Sequence, residues 1–388
     1  MAISKLAIAA TLAAGAFASK AKRAAAAAYE GSPFEGIQLR PDPYYLDELV
    51  NIAIPALPEE LVPAAERLTE ISTFQWLDNI GKIELLNSTL HEIRAENEAG
   101  AEPPYAHTIV VYNFPDRDCS ASSSAGELLL EEDGLNRYKT EYIDPIVELL
   151  TEFSDVRTII AYEPDGLANL ITNMGVPKCA NAASAYREST EYALAALDLP
   201  NVAVYLDAGH AGWLGWEANL PSTAEVYAEI YTSAGSPNST RGLVTNVSNY
   251  NGLRLDTAPD YTTPNANFDE ERFHEALAPL LVAAGFPGHF IVDQGRSGVQ
   301  PGGRQEWGHW CNVQDSGFGP LPDLSPDSEV LDAIVWIKPG GESDGTSDST
   351  ADRFDQMCVG PSAFTPAPEA GTWFQEYFEM LLRNAAFL

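Results

Sequence analysis

The side chains in this sequence that are best placed to take part in a reaction are aspartates that follow short apolar runs. They stand in the tetrapeptides Asp-Arg-Asp-Cys, Glu-Pro-Asp-Gly, Leu-Asp-Ala-Gly and Ser-Asp-Gly-Thr, as Asp118, Asp165, Asp207 and Asp344. Two carboxyl groups in one site can divide acid and base work, which is what cleavage of a glycosidic bond requires. A single aspartate in so acidic a chain is more often a solvated or capping residue, so the pattern carries the argument.

Tryptophans accompany these aspartates, and an indole ring offers the flat apolar face on which a sugar ring can stack. Five lie near the ends of the apolar runs: Trp76, Trp213, Trp216, Trp307 and Trp310. Core packing explains any one of them equally well. Together with the aspartates, they indicate a carbohydrate-active site.

The sequence lacks the motifs that several other kinds of active site require. The six histidines are scattered, and neither His-Glu-x-x-His nor Cys-x-x-Cys occurs, so no metal site is predicted. The glycine-rich pieces lack nucleotide-binding spacing, and Ser123 and Ser124 lie outside a Gly-x-Ser-x-Gly elbow. We therefore expect chemistry without a cofactor.

Seven short apolar runs that end in polar residues are candidate strands, at residues 73–77, 109–112, 158–162, 202–206, 242–245, 290–292 and 333–337. Continuous apolar runs are typical of strands buried on both faces, as in parallel sheets. Helical spacing of apolar residues predicts helices at 136–150, 182–197, 223–232 and 269–284, and an amphipathic terminal helix at 373–382.

The alternation of predicted strands and helices along the chain indicates an α/β fold, either a β/α barrel or a doubly wound open sheet. Polar residues at successive strand ends favour the barrel, because that rim is where barrel active sites form. No linker or change in composition divides residues 24–388, which we expect to form one catalytic domain without an added binding module.

Residues 1–23 have the pattern of an export signal with a possible pro-segment. Lys5 precedes an apolar run over residues 6–18, which ends in a small-x-small triplet, and a dibasic pair follows at 22–23. The run is too short to be a stable membrane span. We therefore predict a secreted protein. Three glycosylation sequons begin at Asn87, Asn238 and Asn246, and the last lies in a strand pattern, so we expect it to be unmodified.

Length and charge limit the classes of partner that the protein could bind. The 388 residues are 45% hydrophobic, enough to bury a large core. With 22 basic and 56 acidic residues the formal net charge is −34. Such a chain repels phosphate backbones and anionic lipid, so no nucleic-acid or membrane partner is expected.

The chain resembles glycoside hydrolase family 6 in six motifs that occur in the family's order, from about residue 40 to the C-terminus. They lie at residues 112–120, 162–169, 205–216, 293–298, 307–312 and 338–348, and the third reads Tyr-Leu-Asp-Ala-Gly-His-Ala-Gly-Trp-Leu-Gly-Trp. The resemblance implies a distorted, TIM-like barrel of seven parallel strands with an active-site tunnel, in agreement with the seven runs.

Within the family, the sequence is most similar to the fungal-type cellobiohydrolases, which act from non-reducing ends of cellulose with inversion. An endo-β-1,4-glucanase is the alternative. Endoglucanases of the family differ in that the two loops that roof the site are shorter. Those loops, residues 118–138 and 340–373, are full length here. The expected partners are cellulose and cello-oligosaccharides, and the protein is expected to be a monomer.

The resemblance also implies roles in proton transfer. Asp165 matches the general acid, and Asp118 matches a neighbouring carboxylate that raises the pKa of the acid. Arg117 would keep Asp118 charged. Asp344 is the candidate base, and its role in the family is argued over, with a chain of water molecules as the alternative. A binding protein without catalysis is the rival from another class, and the presence of all three aspartates argues against it.

The other implied residues bind substrate or shape the site. Tyr112 matches a tyrosine that favours a distorted sugar ring, and Ser124 a serine that positions the attacking water. Substrate binding is implied for Trp76, Asp78, Asp207, His210, Trp213, Trp216, Asn249, Trp310, Lys338 and Glu342, with Asp207 in the supporting network. Four cysteines allow three pairings, and the resemblance implies Cys119–Cys179 and Cys311–Cys358.

Overall fold

Eight parallel strands form the sheet of the computed structural model, which describes Tyr29 and residues 31–388; the predicted signal peptide lies outside the described residues. The strands are β1 (Gln38–Leu39), β2 (Gln75–Leu77), β3 (Tyr105–Val111), β4 (Thr158–Tyr162), β5 (Val202–Asp207), β6 (Thr240–Thr245), β7 (His289–Asp293) and β8 (Leu331–Val335). From β2 to β8 the spatial order follows the chain, and β1 pairs with the start of β3.

Helices connect the strands on the outside of the sheet. They are α1 (Pro43–Glu48), α2 (Ile54–Ala56), α3 (Val62–Leu68), α4 (Ile83–Glu98), α5 (Gly134–Arg137), α6 (Asp144–Glu152), α7 (Asn169–Thr172), α8 (Pro177–Ala196), α9 (Leu220–Ser233), α10 (Glu270–Ala284) and α11 (Gln375–Arg383). Leu49–Ala53 and Tyr138–Ile143 are π-helical, and short 3₁₀ turns cover Glu59–Leu61, Ile80–Lys82, Leu130–Glu132, Asp260–Thr262 and Gln356–Val359. All seven predicted strands and five predicted helices are confirmed.

Alternate strand positions fill two separate cores. Small and branched side chains meet inside the curled sheet, among them Val110, Ile159, Ala203, Val244 and Ile291. Their neighbours in the strands point outward against the helices, among them Val111, Ile160, Val204, Leu243 and Val292. Because both faces are buried, the strands are apolar at almost every position, which is why the sequence shows them as continuous runs.

The barrel is distorted because its two outer strands do not pair. Within the described residues, backbone pairing stops at β2 on one side and β8 on the other. Instead, the indole Nε1 of Trp76 in β2 donates to the carbonyl of Ile337 beyond β8, at 3.1 Å. Strand order that follows the chain excludes the doubly wound alternative, which reverses its order at a switch point. The distorted barrel is therefore confirmed.

Two disulfides fix the loops at the carboxyl ends of the strands. Cys119 is bonded to Cys179, which ties roof loop 1 (residues 118–138) to α8. Cys311 is bonded to Cys358, which ties roof loop 2 (residues 340–373) to the segment after β7. The structure thus contains the two pairings that the resemblance implies, and each anchors one roof loop separately.

Candidate active site

The carboxyl ends of the strands open into a cavity of about 790 Å³. All six positions implied as catalytic line it, and so do all the implied substrate-binding positions except Asp207. Both roof loops contribute to the lining, with Asp118 and Ser124 from the first loop and Asp344 and Arg353 from the second. Residues that are far apart in the chain therefore share one cavity.

Asp165 stands three residues after β4, in a left-handed backbone conformation with φ of 64°. Its backbone N–H donates to Oδ1 of Asp207 at 2.9 Å, and the N–H of Gly209 donates to the same oxygen at 3.0 Å. Asp207 is buried, 2% exposed, and lies behind Asp165 rather than on the cavity wall. Asp207 therefore contacts the backbone behind Asp165 and does not line the cavity.

The environment of Asp165 favours its protonated form. Loss of hydration and, second, the charge of Asp118 raise the pKa of Asp165 to about 7. The side chain nevertheless remains accessible to water in the open cavity, so its loss of hydration becomes complete only when a ligand fills the site. Burial and the charge of Asp165 also raise the pKa of Asp207 well above its ordinary value. Of Asp165 and Asp207, only Asp165 lines the cavity, so it is the one of the two that can present a proton to a ligand.

Asp118 is held by backbone rather than by arginine. Oδ2 of Asp118 accepts from the N–H of Ser124 at 2.7 Å. Burial raises the pKa of Asp118, and that hydrogen bond and the Lys178 ammonium oppose the rise more than Arg117 does. The Arg117 guanidinium donates to the carbonyls of Tyr112, Asp78 and Ser124, the last two at 2.6 and 2.7 Å. Arg117 therefore organises loops through these carbonyls, and its charge also lowers the pKa of Asp118, although less than Ser124 and Lys178 do.

Asp344 carries the most hydrogen bonds of the three aspartates. Its Oδ1 and Oδ2 accept from Nη1 of the buried Arg296 at 2.9 and 2.8 Å. Oδ2 also accepts from the hydroxyl of Tyr250 at 2.9 Å and from the N–H of Asn312 at 2.8 Å. Oδ2 is saturated by these donors, so Oδ1 is the oxygen that retains capacity to accept a further proton donor.

Tyr112 lines the cavity and is held by Trp76 and Arg117. Its ring meets Trp76 edge to face, with centroids 5.4 Å apart, and the Arg117 guanidinium lies 4.3 Å from its centroid on the face. Burial and the charge of Asp118 raise the pKa of Tyr112 well above its ordinary value, so its phenol stays neutral. A neutral ring fixed on two sides can act as a rigid wall of the cavity.

Three of the five half-buried tryptophans that line the cavity are anchored through their indole N–H groups. Trp213 Nε1 donates to Oγ1 of Thr172 at 2.6 Å, and Trp216 Nε1 donates to the carbonyl of Gly212 at 2.9 Å. Trp76 is bonded across the open side of the barrel, as described above. Because the indole N–H groups of these three residues are bonded to protein, their ring faces are left to line the cavity.

Polar side chains between the tryptophans are also fixed in place. Burial, and second the charge of Arg304, lower the pKa of His210 to about 3, so its ring is neutral. Arg304 Nη2 donates to Oδ1 of Asn249 at 2.5 Å. Lys338 and Glu342 form an ion pair at 3.0 Å, shielded from solvent. These groups can offer hydrogen bonds of fixed direction to hydroxyl groups of a ligand.

Sequence reasoning missed some of the lining. Asp42 accepts from the N–H of Tyr45 and from Nε2 of Gln75, both at 3.2 Å, and burial raises its pKa to about 6. The Asp-Pro at residues 42–43 signals the start of a helix, and nothing local signals a cavity. Lys178 and Arg304 were missed because each reaches the site through contacts distant in the sequence.

Metal and membrane features were searched in the described part of the chain. Tyr29 and residues 31–388 contain no group of three or more His, Cys, Asp or Glu side chains that could hold a metal ion. In the same residues, no helix combines the length and apolar character needed to cross a membrane.

A proton-bearing carboxyl beside a second carboxylate, in a tryptophan-lined cavity at the carboxyl edge of a β/α barrel, is the arrangement of a glycoside hydrolase. A family model described as glycosyl hydrolases family 6 matches residues 34–385. The chain belongs to glycoside hydrolase family 6.

Individual relatives are similar over nearly the whole chain. Exoglucanase-6A of Humicola insolens is 57% identical over 361 residues, which cover 92% of this chain and 76% of that protein. The catalytic core of the cellobiohydrolase Cel6A of Chaetomium thermophilum superposes with a TM-score of 0.92, at 55% identity, over 93% of this chain and all of that one.

A second solved structure is of a ligand complex. Cellobiohydrolase II of Humicola insolens, with glucose and cellotetraose bound, superposes with a TM-score of 0.90 at 56% identity. The superposition covers 92% of this chain and 99% of that one.

Proposed function

We propose that this protein is a secreted cellobiohydrolase that cleaves β-1,4-glucosidic bonds with inversion and releases cellobiose from the non-reducing ends of cellulose. The observation that carries the proposal is Asp165, a carboxyl with a pKa of about 7 on the wall of a roofed, tryptophan-lined cavity. The relatives named as exoglucanase and cellobiohydrolase support the substrate class.

Asp165 is the proposed general acid. At mildly acidic pH its carboxyl keeps a proton, which it transfers to the glycosidic oxygen as the bond to the leaving sugar breaks. The charge of Asp118 supports this role because it disfavours ionisation of Asp165. Asp207 positions the acid through its hydrogen bond to the backbone of Asp165.

Inversion requires that a water molecule attacks from the opposite face of the sugar and that a carboxylate accepts a proton from this water. The carboxylate and the general acid then lie about 6.5–9.5 Å apart. We assign this base to Asp344, acting through Oδ1 and an intervening water, because Oδ2 already accepts three hydrogen bonds. The N–H and C=O of Ser124 are both bonded, which fixes the backbone that carries its hydroxyl, and we assign this hydroxyl to direct the attacking water. The side chain of Tyr112 limits the space that is available for an undistorted sugar ring.

The roofed cavity favours exo cleavage over the endoglucanase alternative. Both roof loops line the cavity and contact each other at Ser122 and Asp355. A chain end can thread through an enclosed cavity, whereas the middle of a chain needs an open cleft. The tryptophan faces would hold successive glucose units, with Asp78, His210, Asn249, Lys338 and Glu342 contacting their hydroxyl groups.

The proposal extends to the whole polypeptide. Residues 1–23 direct export, and residues 24–388 act as one monomeric catalytic domain on cellulose and cello-oligosaccharides. The two disulfides suit an oxidising extracellular environment.

The experiment that tests the proposal is the substitution Asp165→Asn. Asparagine tolerates the left-handed backbone at this position and removes only the proton donor. We expect cellotetraose hydrolysis to fall by about 10²–10⁴-fold, with cellotetraose binding retained by calorimetry. Asp116→Asn is the matched control, because Asp116 lies in the adjacent loop and its Oδ1 accepts from Leu130 N–H. Full turnover in Asp165→Asn would overturn the assignment.

A further inference from the structure

A buried chain of hydrogen bonds runs behind one part of the cavity wall. We call it the amide relay and define it as Arg304, Asn251 and Glu270. The Arg304 guanidinium donates to Oδ1 of Asn251, and Nδ2 of Asn251 donates to Oε1 of Glu270 at 2.7 Å. All three side chains are buried, and none of them lines the cavity. The relay can therefore act on a ligand only through the residues that it holds.

Arg304 orients the amide groups around it. Its side chain is 4% exposed, and besides Asn251 it donates to Oδ1 of Asn249 at 2.5 Å and to the carbonyls of Trp307 and His309 at 3.1 and 3.2 Å. A buried charge is costly unless it is hydrogen-bonded. Because a guanidinium can only donate, both amides must turn their oxygen atoms toward it.

This orientation makes Asn249 a hydrogen-bond donor toward the cavity. Its Oδ1 accepts from Arg304 and also from the backbone N–H of Tyr250 at 2.8 Å. In the part of the chain that the structure describes, no protein acceptor is bonded to its Nδ2. Since Asn249 lines the cavity, the Nδ2 hydrogens remain for a ligand.

The relay also bears on which ring nitrogen of His210 carries the hydrogen. Nδ1 of His210 lies 3.1 Å from the backbone nitrogen of Gly212 and 3.2 Å from Nδ2 of Asn251. Both of these groups donate, so Nδ1 accepts and the hydrogen of the neutral ring is on Nε2. His210 lines the cavity, and Nε2 has no protein partner within residues 31–388. Its Nε2–H is therefore a second donor for a ligand.

Glu270, the first residue of α10, fixes the turn that carries His210. Its Oε1 accepts from the N–H of Ala211 at 2.9 Å as well as from Asn251. Burial raises the pKa of Glu270 to about 7. Oε1 can accept both hydrogen bonds whether or not the other oxygen carries a proton, so the relay holds in either state of the carboxyl.

We propose that the amide relay positions His210 and Asn249 as hydrogen-bond donors toward a sugar of the substrate. Its three members are positioning residues for the cellobiohydrolase function proposed above, on which the identity of the ligand rests. Oδ1 of Asn249 and Nδ1 of His210 are already occupied. The two side chains therefore offer N–H groups and no free acceptor, which favours a sugar oxygen that accepts at this place.

Three variants change the relay in different ways. Asn251→Ala removes its central amide. Asn251→Asp keeps an oxygen for Arg304 and places a second oxygen where a nitrogen faces His210, which reverses the polarity of that contact. Glu270→Gln is the conservative variant, because its amide oxygen can still accept both hydrogen bonds.

Asn201→Ala is the matched control for loss of a buried amide. Asn201 is 1% exposed, and its Nδ2 donates to three backbone carbonyls. It directly precedes β5, at the end of the strands opposite the cavity. Its removal should lower stability without touching the relay.

The first measurement is a two-bond proton–nitrogen correlation spectrum of the full-length protein with isotope-labelled histidine, in which His210 is assigned by its absence from His210→Gln. Burial lowers the pKa of His210 to about 3. We therefore expect a neutral wild-type ring with its hydrogen on Nε2 at about pH 5 and above. Asn251→Asp should show a ring with hydrogen on Nδ1. Glu270→Gln and Asn201→Ala should keep the wild-type signals.

The second measurement is the hydrolysis of cellotetraose. We expect Asn251→Ala and Asn251→Asp to raise KM by about two- to tenfold, the weight of one hydrogen bond. Their kcat should stay within about twofold of wild type, because the relay supports substrate and transition state alike. Glu270→Gln and Asn201→Ala should stay within about twofold of wild type in both constants.

A hydrogen on Nδ1 of His210 in the wild type would overturn the donor assignment. Wild-type His210 signals in Asn251→Asp together with a wild-type KM in both folded Asn251 variants would overturn the relay, and so would an equal rise of KM in Asn201→Ala. Absence of cellotetraose turnover in the wild type would instead contradict the proposed function, and the spectra would still decide the orientation of His210.

Discussion

At the scale of single residues, the site is built from carboxyl groups in strained backbone. Asp118 and Asp165 both have positive φ, and so do Asp116 and Glu163 two residues before them. Left-handed backbone costs free energy for residues other than glycine, although aspartate tolerates it better than most. These loops therefore turn sharply at the ends of β3 and β4, which brings the two aspartates to the same wall.

The pairing of Asp118 with Asp165 predicts a change in the pH profile. Removal of the Asp118 charge lowers the pKa of Asp165, so the acid loses its proton at lower pH. In Asp118→Asn we expect the alkaline limb of kcat/KM for cellotetraose to move toward acid by about one pH unit. The amide oxygen of the introduced asparagine would still accept from the N–H of Ser124. Asp116→Asn serves as the control, and an equal shift in both variants would refute direct coupling.

At the scale of elements, the sequence identifies the strands because both faces of the sheet are buried. The same sequence does not reveal β1, because two residues are too few for a pattern. It also misses α7 and α1 to α4. Of these, α1, α2 and α3 pack into a separate core with α11, outside the regular β/α alternation. The motifs predicted most of the positions that line the cavity. Lys178, Arg304 and the carbonyl partners of Arg117 could not be predicted because they depend on tertiary contacts.

Glu163 joins two of these elements and predicts a dependence of stability on pH. Its carboxylate accepts from the N–H groups of Asn113 and Phe114 after β3 and from the hydroxyl of Tyr138. Burial raises its pKa to about 7. The folded state then binds more protons than the unfolded state between pH about 4.5 and 7. Stability from this group is therefore present below that range and is lost as pH rises through it.

We expect that Glu163→Gln does not lose stability in this way as the pH rises, because glutamine does not titrate. Its unfolding free energy relative to wild type should improve by on the order of 3 kcal/mol from pH 4.5 to 7.5. Denaturant unfolding across that range measures the difference. Glu148→Gln, which removes an exposed glutamate from α6, is the control. Parallel pH curves for wild type and Glu163→Gln would show that this carboxyl does not govern the dependence.

At the scale of the whole molecule, the dominant property is a formal net charge of −34. Self-repulsion of this size destabilises the compact state at neutral pH. Salt shortens the Debye length from about 10 Å at 0.1 M to about 3 Å at 1 M. Screening therefore favours folding, although it also weakens surface ion pairs, each of which contributes little.

We expect the Tm at pH 7 to rise by about 2–5 °C between 0.1 and 1 M sodium chloride, which corresponds to about 2–4 kcal/mol in a chain of this size. At pH 4.3, close to the sequence pI, the rise should disappear because the net charge is near zero. Scanning calorimetry at both pH values makes the comparison. An equal rise at pH 4.3 would point to a general salt effect instead of relief of repulsion.

The central claim is an inverting acid–base site inside a roofed cavity. It is tested most directly by incubating the secreted protein with cellulose and following the soluble products and their anomeric form together. The account predicts mostly cellobiose, released as the α-anomer. A β-anomer as the first product would contradict the roles of Asp165 and Asp344, and a spread of longer α-oligomers would contradict the closed roof.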